Sequence, residues 1–272
     1  MATVLAAVMI IAITGLAFGL AIGYVAKAFA VEGDPRLEEV TGLLPGVNCG
    51  GCGFAGCAEF AKAMVAGRAE PGQCPVSSAA AVASIAAVMN LSVKEKAPRV
   101  AVVFCGGDVQ HSQRVRYNGV NDCVSAALVA SGGKACGYGC MGYGSCAREC
   151  PFGAIQLRRG LAVVHPELCT GCGKCVAVCP RKLIRLVPAS AGVHILCSAK
   201  SKPVSKRKLC SVTCIACKKC VRAVPDGHLF VSANLVQVNY ANPPPPEIVA
   251  RAGCPTGCLK NAADHVANTE RA

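Results

Sequence analysis

An α+β chain is what the sequence predicts, with a single N-terminal transmembrane helix, a small helical module and tandem cysteine-built domains. Three observations predict it. No charged residue occurs from Ala2 to Ala26. The 272 residues include 21 Cys, most of them in C-x2-C runs ending in Cys-Pro. Short apolar stretches, Arg99–Phe104, Leu161–His165 and Val193–Leu196, read as strands between those runs. The expected layout is a transmembrane anchor over 1–31, a first module over 32–91, and a linker with a small α/β segment over 92–135. A two-cluster domain over 136–196 and a second domain over 197–272 complete it.

Such cysteine density in a short secreted chain would suggest disulfides. The odd count and the spacing argue otherwise. A cubane iron–sulfur cluster needs this spacing, because one loop must aim three thiolates at three corners of one small object. Such thiolates persist best in a reducing compartment. Trp is absent and aromatic residues make up 4%, so packing rests on Ala, Val and the clusters. The formal charge is +13, part of which offsets anionic clusters. The rest could attract an acidic partner or an anionic membrane face. No nucleic-acid motif accompanies it, and no Ser–His–Asp, P-loop or G-x-G-x-x-G pattern stands in a credible context.

Ala2–Ala26 as a helix rises about 37 Å, enough to span a bilayer with some tilt. A cleaved signal peptide is the rival reading, with Ala28-Phe29-Ala30 as its cleavage site. The basic-free start and the long apolar run favour a retained anchor. Lys27, Arg36 and the later cations follow the helix, so the positive-inside rule puts the bulk of the chain on the cytoplasmic side of the cell (inner) membrane. Gly15, Gly19 and Gly23 form a small-residue stripe suited to packing against another membrane helix, although Gly is common in such helices anyway.

The first cysteine set is Cys49-x2-Cys52-x4-Cys57-x16-Cys74, in a Gly-rich loop. Glycines let the backbone wrap a cluster and aim N–H groups at its sulfurs. Four thiolates also suit zinc, but this spacing favours a [4Fe–4S] cluster. Phe60, Met64 and Val65 predict an amphipathic helix after Cys57, and Val82, Ile85, Val88 and Met89 predict another within 76–98. Ser92–Pro98 reads as a linker.

Cys169-x2-Cys172-x2-Cys175-x3-Cys179-Pro180 has the bacterial-ferredoxin spacing, in which the fourth Cys ligates the other cluster. Its partner run ends at Cys150-Pro151, 29 residues upstream, and the flanks Pro151–Ile155 and Pro180–Ile184 repeat. In that run Tyr143 stands where a Cys is expected and Cys136 is extra. One cluster is therefore assigned to Cys136, Cys140, Cys146 and Cys179, the other to Cys150, Cys169, Cys172 and Cys175.

Cys214-x2-Cys217-x2-Cys220 opens another pair, whose fourth position is Val224 and whose distant partner is Cys254-Pro255. The swap rule leaves one cluster complete, on Cys214, Cys217, Cys220 and Cys254. The other lacks all four ligands together, so one cluster reads as cleanly lost, with Val224 refilling the space. Cys105, Cys123, Cys197 and Cys210 stand at element ends. They could hold a fifth cluster, or be scattered buried thiols. Cys258 reads as unligated. Lys200, Lys202, Lys206, Arg207, Lys208, Lys218, Lys219 and Arg222 form a basic stretch free of acidic residues, a docking face or an ordinary solvated one. His165 and His194 read as structural.

The anchor, Asp34-Pro35-Arg36, Leu44-Pro-Gly-Val-Asn-Cys-Gly-Gly-Cys-Gly53 and the tandem runs together resemble the B subunit of the Rnf-type ferredoxin:NAD oxidoreductase complex. The resemblance implies a cytoplasmic polyferredoxin that takes electrons from soluble reduced ferredoxin. It implies other membrane and peripheral subunits as partners, and electron flow toward NAD coupled to Na⁺ or H⁺ export. Val224 and the Cys-free stretch before Cys254 depart from the family pattern. The alternative is a membrane-bound polyferredoxin or reductive activator serving an unrelated enzyme.

Overall fold

A computed structural model of the chain describes residues 1–28, 34–92, 97–112, 115–225, 227–262 and 265–266. The proposed cleavage site at Phe29-Ala30 and the middle of the 92–98 linker lie outside them. Helix α1 (Ala2–Ala28) is long and apolar enough to cross a membrane, with a mean hydropathy of 2.5 over Val4–Ala28. Its described side chains are exposed, and a Cβ built on Gly15, Gly19 or Gly23 would meet nothing within 4 Å. The glycine stripe therefore faces no other described part of this chain.

Helices α2 (Pro35–Leu43), α3 (Cys57–Val65) and α4 (Ala79–Met89) form a small bundle. Asp34 caps α2, its carboxylate accepting from the Arg36 N–H, and Ser78 caps α4 through the Ala81 N–H. Asn90, at φ +53°, ends α4 in the left-handed conformation. Val40, Phe60, Met64 and Ile85 meet in a core of their own, with Val88 and Met89 packed against it; of the predicted apolar positions of α3 and α4, Val65 and Val82 lie outside it.

Past the linker the elements are short and join in pairs. Strand β1 (Arg99–Val103) lies antiparallel to β4 (Ile184–Pro188), with Val103 opposite Ile184. Between them in sequence come α5 (Cys123–Ala127), α6 (Ser145–Arg148), the hairpin β2 (Ile155–Arg158) and β3 (Leu161–Val164), and α7 (Lys174–Val178). Strand β5 (Val193–Ile195) pairs with β8 (Leu259–Asn261). Helices α8 (Pro203–Leu209) and α9 (Lys219–Arg222), the hairpin β6 (Leu229–Ser232) and β7 (Leu235–Val238), and α10 (Ile248–Ala252) lie between them. Helices α6 and α7 pack on each other, as do α9 and α10. The residue before α6, α7 and α9 has positive φ each time: Gly144, Gly173 and Lys218. The repeated cysteine runs thus enter their short helices through the same left-handed turn.

Two-stranded sheets of this length are marginal alone. Here they close over cores in which cysteine is a main constituent. Cys105, Cys140, Cys146 and Cys175 are buried with Leu161, Leu183 and Ile184. Cys197, Cys214, Cys220 and Cys258 are buried with Val193, Leu235 and Ile248, and Val224 packs against that group.

Candidate metal centres

The first set sits on the α2–α4 bundle. Cys52, Cys57 and Cys74 pack against its apolar core. Asn48, at φ +51°, accepts the Cys57 N–H through its side chain at 2.8 Å, and Gln73 donates to the Cys52 carbonyl at 2.8 Å. These bonds pin both ends of the cysteine loop.

The second set is the one spacing placed best. Cys150, Cys169, Cys172 and Cys175 all line one cavity, with Ala101, Ile155 and Leu186 as apolar wall. Its empty space, open side included, is about 320 Å³. The Ala101 N–H on β1 donates to Cys169 Sγ at 3.3 Å. Burial pushes the Cys175 thiol up to about 12, helped by neighbouring Cys169, Cys172 and Cys150.

The third set corrects the expected grouping. A second cavity, about 370 Å³ with its open side, is lined by Cys123, Cys140, Cys146 and Cys179. Cys136 is not among its walls. Cys123 is brought in by α5, whose cap Asp122 accepts from the Ser125 N–H and from Ser145 Oγ on α6. Ser145 Oγ in turn accepts the Cys123 N–H at 2.8 Å. This network fastens the start of α5 to the start of α6, a contact spanning 22 residues that spacing rules do not describe. Burial pushes Cys146 up to about 12, with Cys140 and Cys123 adding to it. The Leu183 N–H donates to Cys179 Sγ at 3.4 Å.

The displaced Cys136 joins the remaining thiols. Burial raises it, and Cys105 and Cys197 add to that. Cys210, pushed up to about 11 by burial, also neighbours Cys105 and Cys197. Cys105, Cys136, Cys197 and Cys210 therefore gather as a fourth set. Gly107 allows the approach, since a Cβ there would stand 2.9 Å from Cys210 Sγ.

The fifth set surrounds the start of α9. Cys214 and Cys220 are buried, Cys217 is exposed and Cys254 is half-buried. Burial raises Cys220, with Cys214, Cys254 and Cys217 adding to it. Cys258 Sγ lies 3.7 Å from Cys254 Sγ, and Cys258 also hydrogen-bonds Cys214. The hydrogen bonds shared among these three thiols push Cys258 up and hold Cys214 and Cys254 down.

Successive sets touch. A Cβ on Gly51 would lie 2.8 Å from the Cys172 carbonyl, so the first cysteine loop rests directly on the second set's loop. Cys175 and Cys146 are buried in the same core. The Cys140 N–H donates to Cys105 Sγ at 3.3 Å. Cys197 shares the last core with Cys214 and Cys220. Gly51→Val should force the first two loops apart. The expected result is unchanged iron content with weakened magnetic coupling between the first two clusters in the reduced protein, read by electron paramagnetic resonance.

The donor chemistry fits iron–sulfur clusters. Tetrahedral zinc at Zn–S bonds of about 2.3 Å needs its sulfurs about 3.8 Å apart. Among the described residues no three His, Cys, Asp or Glu side chains group as a single-ion site. The second and third sets instead ring cavities, with backbone N–H groups aimed at their sulfurs. Outside the cysteine sets, the basic stretch is corrected at one position. Lys206 leaves it, because Lys206 is buried and donates to the carbonyls of Ala199 at 3.1 Å and Asn234 at 2.6 Å. His194 is buried on β5 beside Tyr240, 3.0 Å from its hydroxyl, and burial holds it down at about 4.

Cysteine sets ringing apolar cavities on short helices and hairpins define an iron–sulfur protein. Two family models agree: a putative Fe-S cluster domain matches residues 44–76 and a 4Fe-4S binding domain matches 162–185. The chain is 40% identical to the B subunit of the proton-translocating ferredoxin:NAD(+) oxidoreductase complex of Clostridium ljungdahlii, covering 96% of this chain and 93% of that one. It is 38% identical to the B subunit of the ion-translocating oxidoreductase complex of Methanosarcina acetivorans, over 83% of this chain and 86% of the relative. The Na(+)-translocating counterpart of Acetobacterium woodii is 38% identical, over 87% and 72%. The chain belongs to the family of B subunits of ion-translocating ferredoxin:NAD oxidoreductase complexes.

Proposed function

We propose that this chain is the electron-entry subunit of such a complex, relaying electrons from reduced ferredoxin toward NAD in a process coupled to Na⁺ or H⁺ translocation. Each [4Fe–4S] cluster supplies a one-electron store when bound. The chain's own residues hold five such stores in sequence between largely apolar walls; no side chain makes or breaks a substrate bond. The first set is Cys49, Cys52, Cys57 and Cys74. The second is Cys150, Cys169, Cys172 and Cys175. The third is Cys123, Cys140, Cys146 and Cys179, and the fourth Cys105, Cys136, Cys197 and Cys210. The fifth is Cys214, Cys217, Cys220 and Cys254. The two cysteine repeats act as tandem ferredoxin-like units, the first completed by Cys123 and by β1 paired on β4, the second with one cluster lost.

The observation that carries this reading is the row from the Cys49 loop to the core around Cys214, joined by close approaches and shared cores. The anchor helix holds the row at the membrane with its bulk on the cytoplasmic side, and the Gly15/Gly19/Gly23 face packs on a helix of another subunit. The exposed cations Lys200, Lys202, Arg207, Lys208, Lys218, Lys219 and Arg222 give an acidic ferredoxin a docking face.

One anaerobic preparation tests this. Iron and acid-labile sulfide should each reach about 20 per chain, four per cluster. About 16 would remove the fourth set, and about 24 would overturn the lost cluster. Reduced ferredoxin should bleach the visible absorption of the chain; no bleaching would sink the electron-entry role.

A further inference from the structure

Beside the fourth set stands a lysine with no exposed surface. Lys134 follows the short turn Ala130–Gly133 and is 0% exposed. Its Nζ donates to the Gly107 carbonyl and lies 3.9 Å from Cys105 Sγ. The same charge acts on Cys136, Cys140 and Cys210. Gly139 makes room for it: a Cβ there would stand 2.9 Å from the lysine Cε and 3.1 Å from its Cδ. The loop from Cys136 to Cys140 is thus closed round the lysine stem. The carboxylate next along the chain from Gly107, Asp108, is engaged by Arg159 at 2.9 Å and His111 at 2.6 Å.

A buried ammonium is costly unless negative charge faces it. Here that charge comes from the thiolates and from the cluster they would hold. We propose that Lys134 is the internal counter-ion of the Cys105/Cys136/Cys197/Cys210 site, raising the reduction potential of its cluster. The proposal rests on the five-set reading above. Reduction adds one negative charge to the site. A fixed positive charge a few ångströms away, screened from water, favours the reduced form more strongly than any surface cation can. Burial, hydrogen bonding to sulfur and net charge set such potentials; Lys134 supplies fully buried charge, with Arg181, which donates to the Cys136 and Gly139 carbonyls, the other cation at the site.

The test uses the full chain, purified anaerobically, with a redox titration followed by electron paramagnetic resonance. The signal missing from Cys105→Ala, together with about four irons, identifies the fourth cluster. Should Cys105→Ala keep every iron, the cluster reading itself falls. With the signal assigned, Lys134→Arg should match the parent. Lys134→Met should keep its iron while its cluster becomes about tenfold harder to reduce at fixed poise, a shift of about 59 mV to more negative potential for one electron. Full iron with an unshifted potential in Lys134→Met overturns the proposal. If Lys134→Met and Lys134→Gln both lose the four irons that Lys134→Arg keeps, the site needs the charge even to assemble, which upholds it. Loss in Lys134→Arg as well would show a requirement for lysine shape rather than charge, and would overturn it.

Discussion

Replacing Cys123 and Cys146 by Ala together should cost the chain about four irons, no more than either replacement alone. Replacing Cys136 and Cys146 together should cost about eight. The asymmetry follows from geometry. Cys123 and Cys146 wall one cavity, while Cys136 lies with Cys105 and Cys197 outside it. Two ligands of one cluster are redundant to lose, because the first loss already releases the iron. Two ligands of different clusters are additive. Iron and sulfide assays on the single and double variants decide it. The reverse pattern, about eight for Cys123/Cys146 and about four for Cys136/Cys146, would return the grouping to the one that spacing alone suggests.

Stripping the iron anaerobically should collapse residues 97–262 and leave the first helical bundle largely folded. The two regions differ in what fills them. The α2–α4 core is Val40, Phe60, Ala61, Met64 and Ile85, with its cysteines only at the margin. The core around β1–β4 buries Cys105, Cys140, Cys146 and Cys175, and two cysteine-lined cavities open on it. Without their clusters the cysteine-lined walls lack packing partners at the ligand positions, and the flanking sheets have two strands each. Burial that pushes Cys146 and Cys175 to about 12 also keeps the iron-free thiols neutral, so nothing polar replaces the lost bonds. Limited proteolysis with mass spectrometry should show cuts within 97–262 rising about tenfold or more over cuts within 34–92, as a stability difference of about 1.4 kcal/mol would give. Equal rates in both regions would contradict the distinction.

Much of this was legible in the chain. The anchor, α3, α4 and the strands β1, β3 and β5 all lie where apolar runs and periodicity put them. The Cys150/Cys169/Cys172/Cys175 set lines its cavity as the ferredoxin spacing requires. These are local matters. A run of three cysteines two residues apart has few ways to turn, and a positive-φ residue such as Gly173 before α7 selects one of them. The third and fourth sets were harder to read. Cys136 and Cys123 compete for the same place in any spacing rule, since both precede Cys140 and neither keeps the standard interval. Lys206 lies in a run of cations and looks solvated until α8 turns it toward two backbone carbonyls, one of them in the β6–β7 turn.

The residues alone specify the kind of protein: an apolar span, thiols in cluster-making runs, an internal repeat, and the family. Only the tertiary structure brings the distant thiols together and shows where the buried charges Lys134 and Lys206 lie. The reason is range. Spacing governs donors within one loop, where chain geometry limits the outcomes. The fourth donor arrives from tens of residues away, and its position depends on the β1–β4 pairing, the Asp122–Ser145 network and close backbone contacts such as that of Gly51 with Cys172.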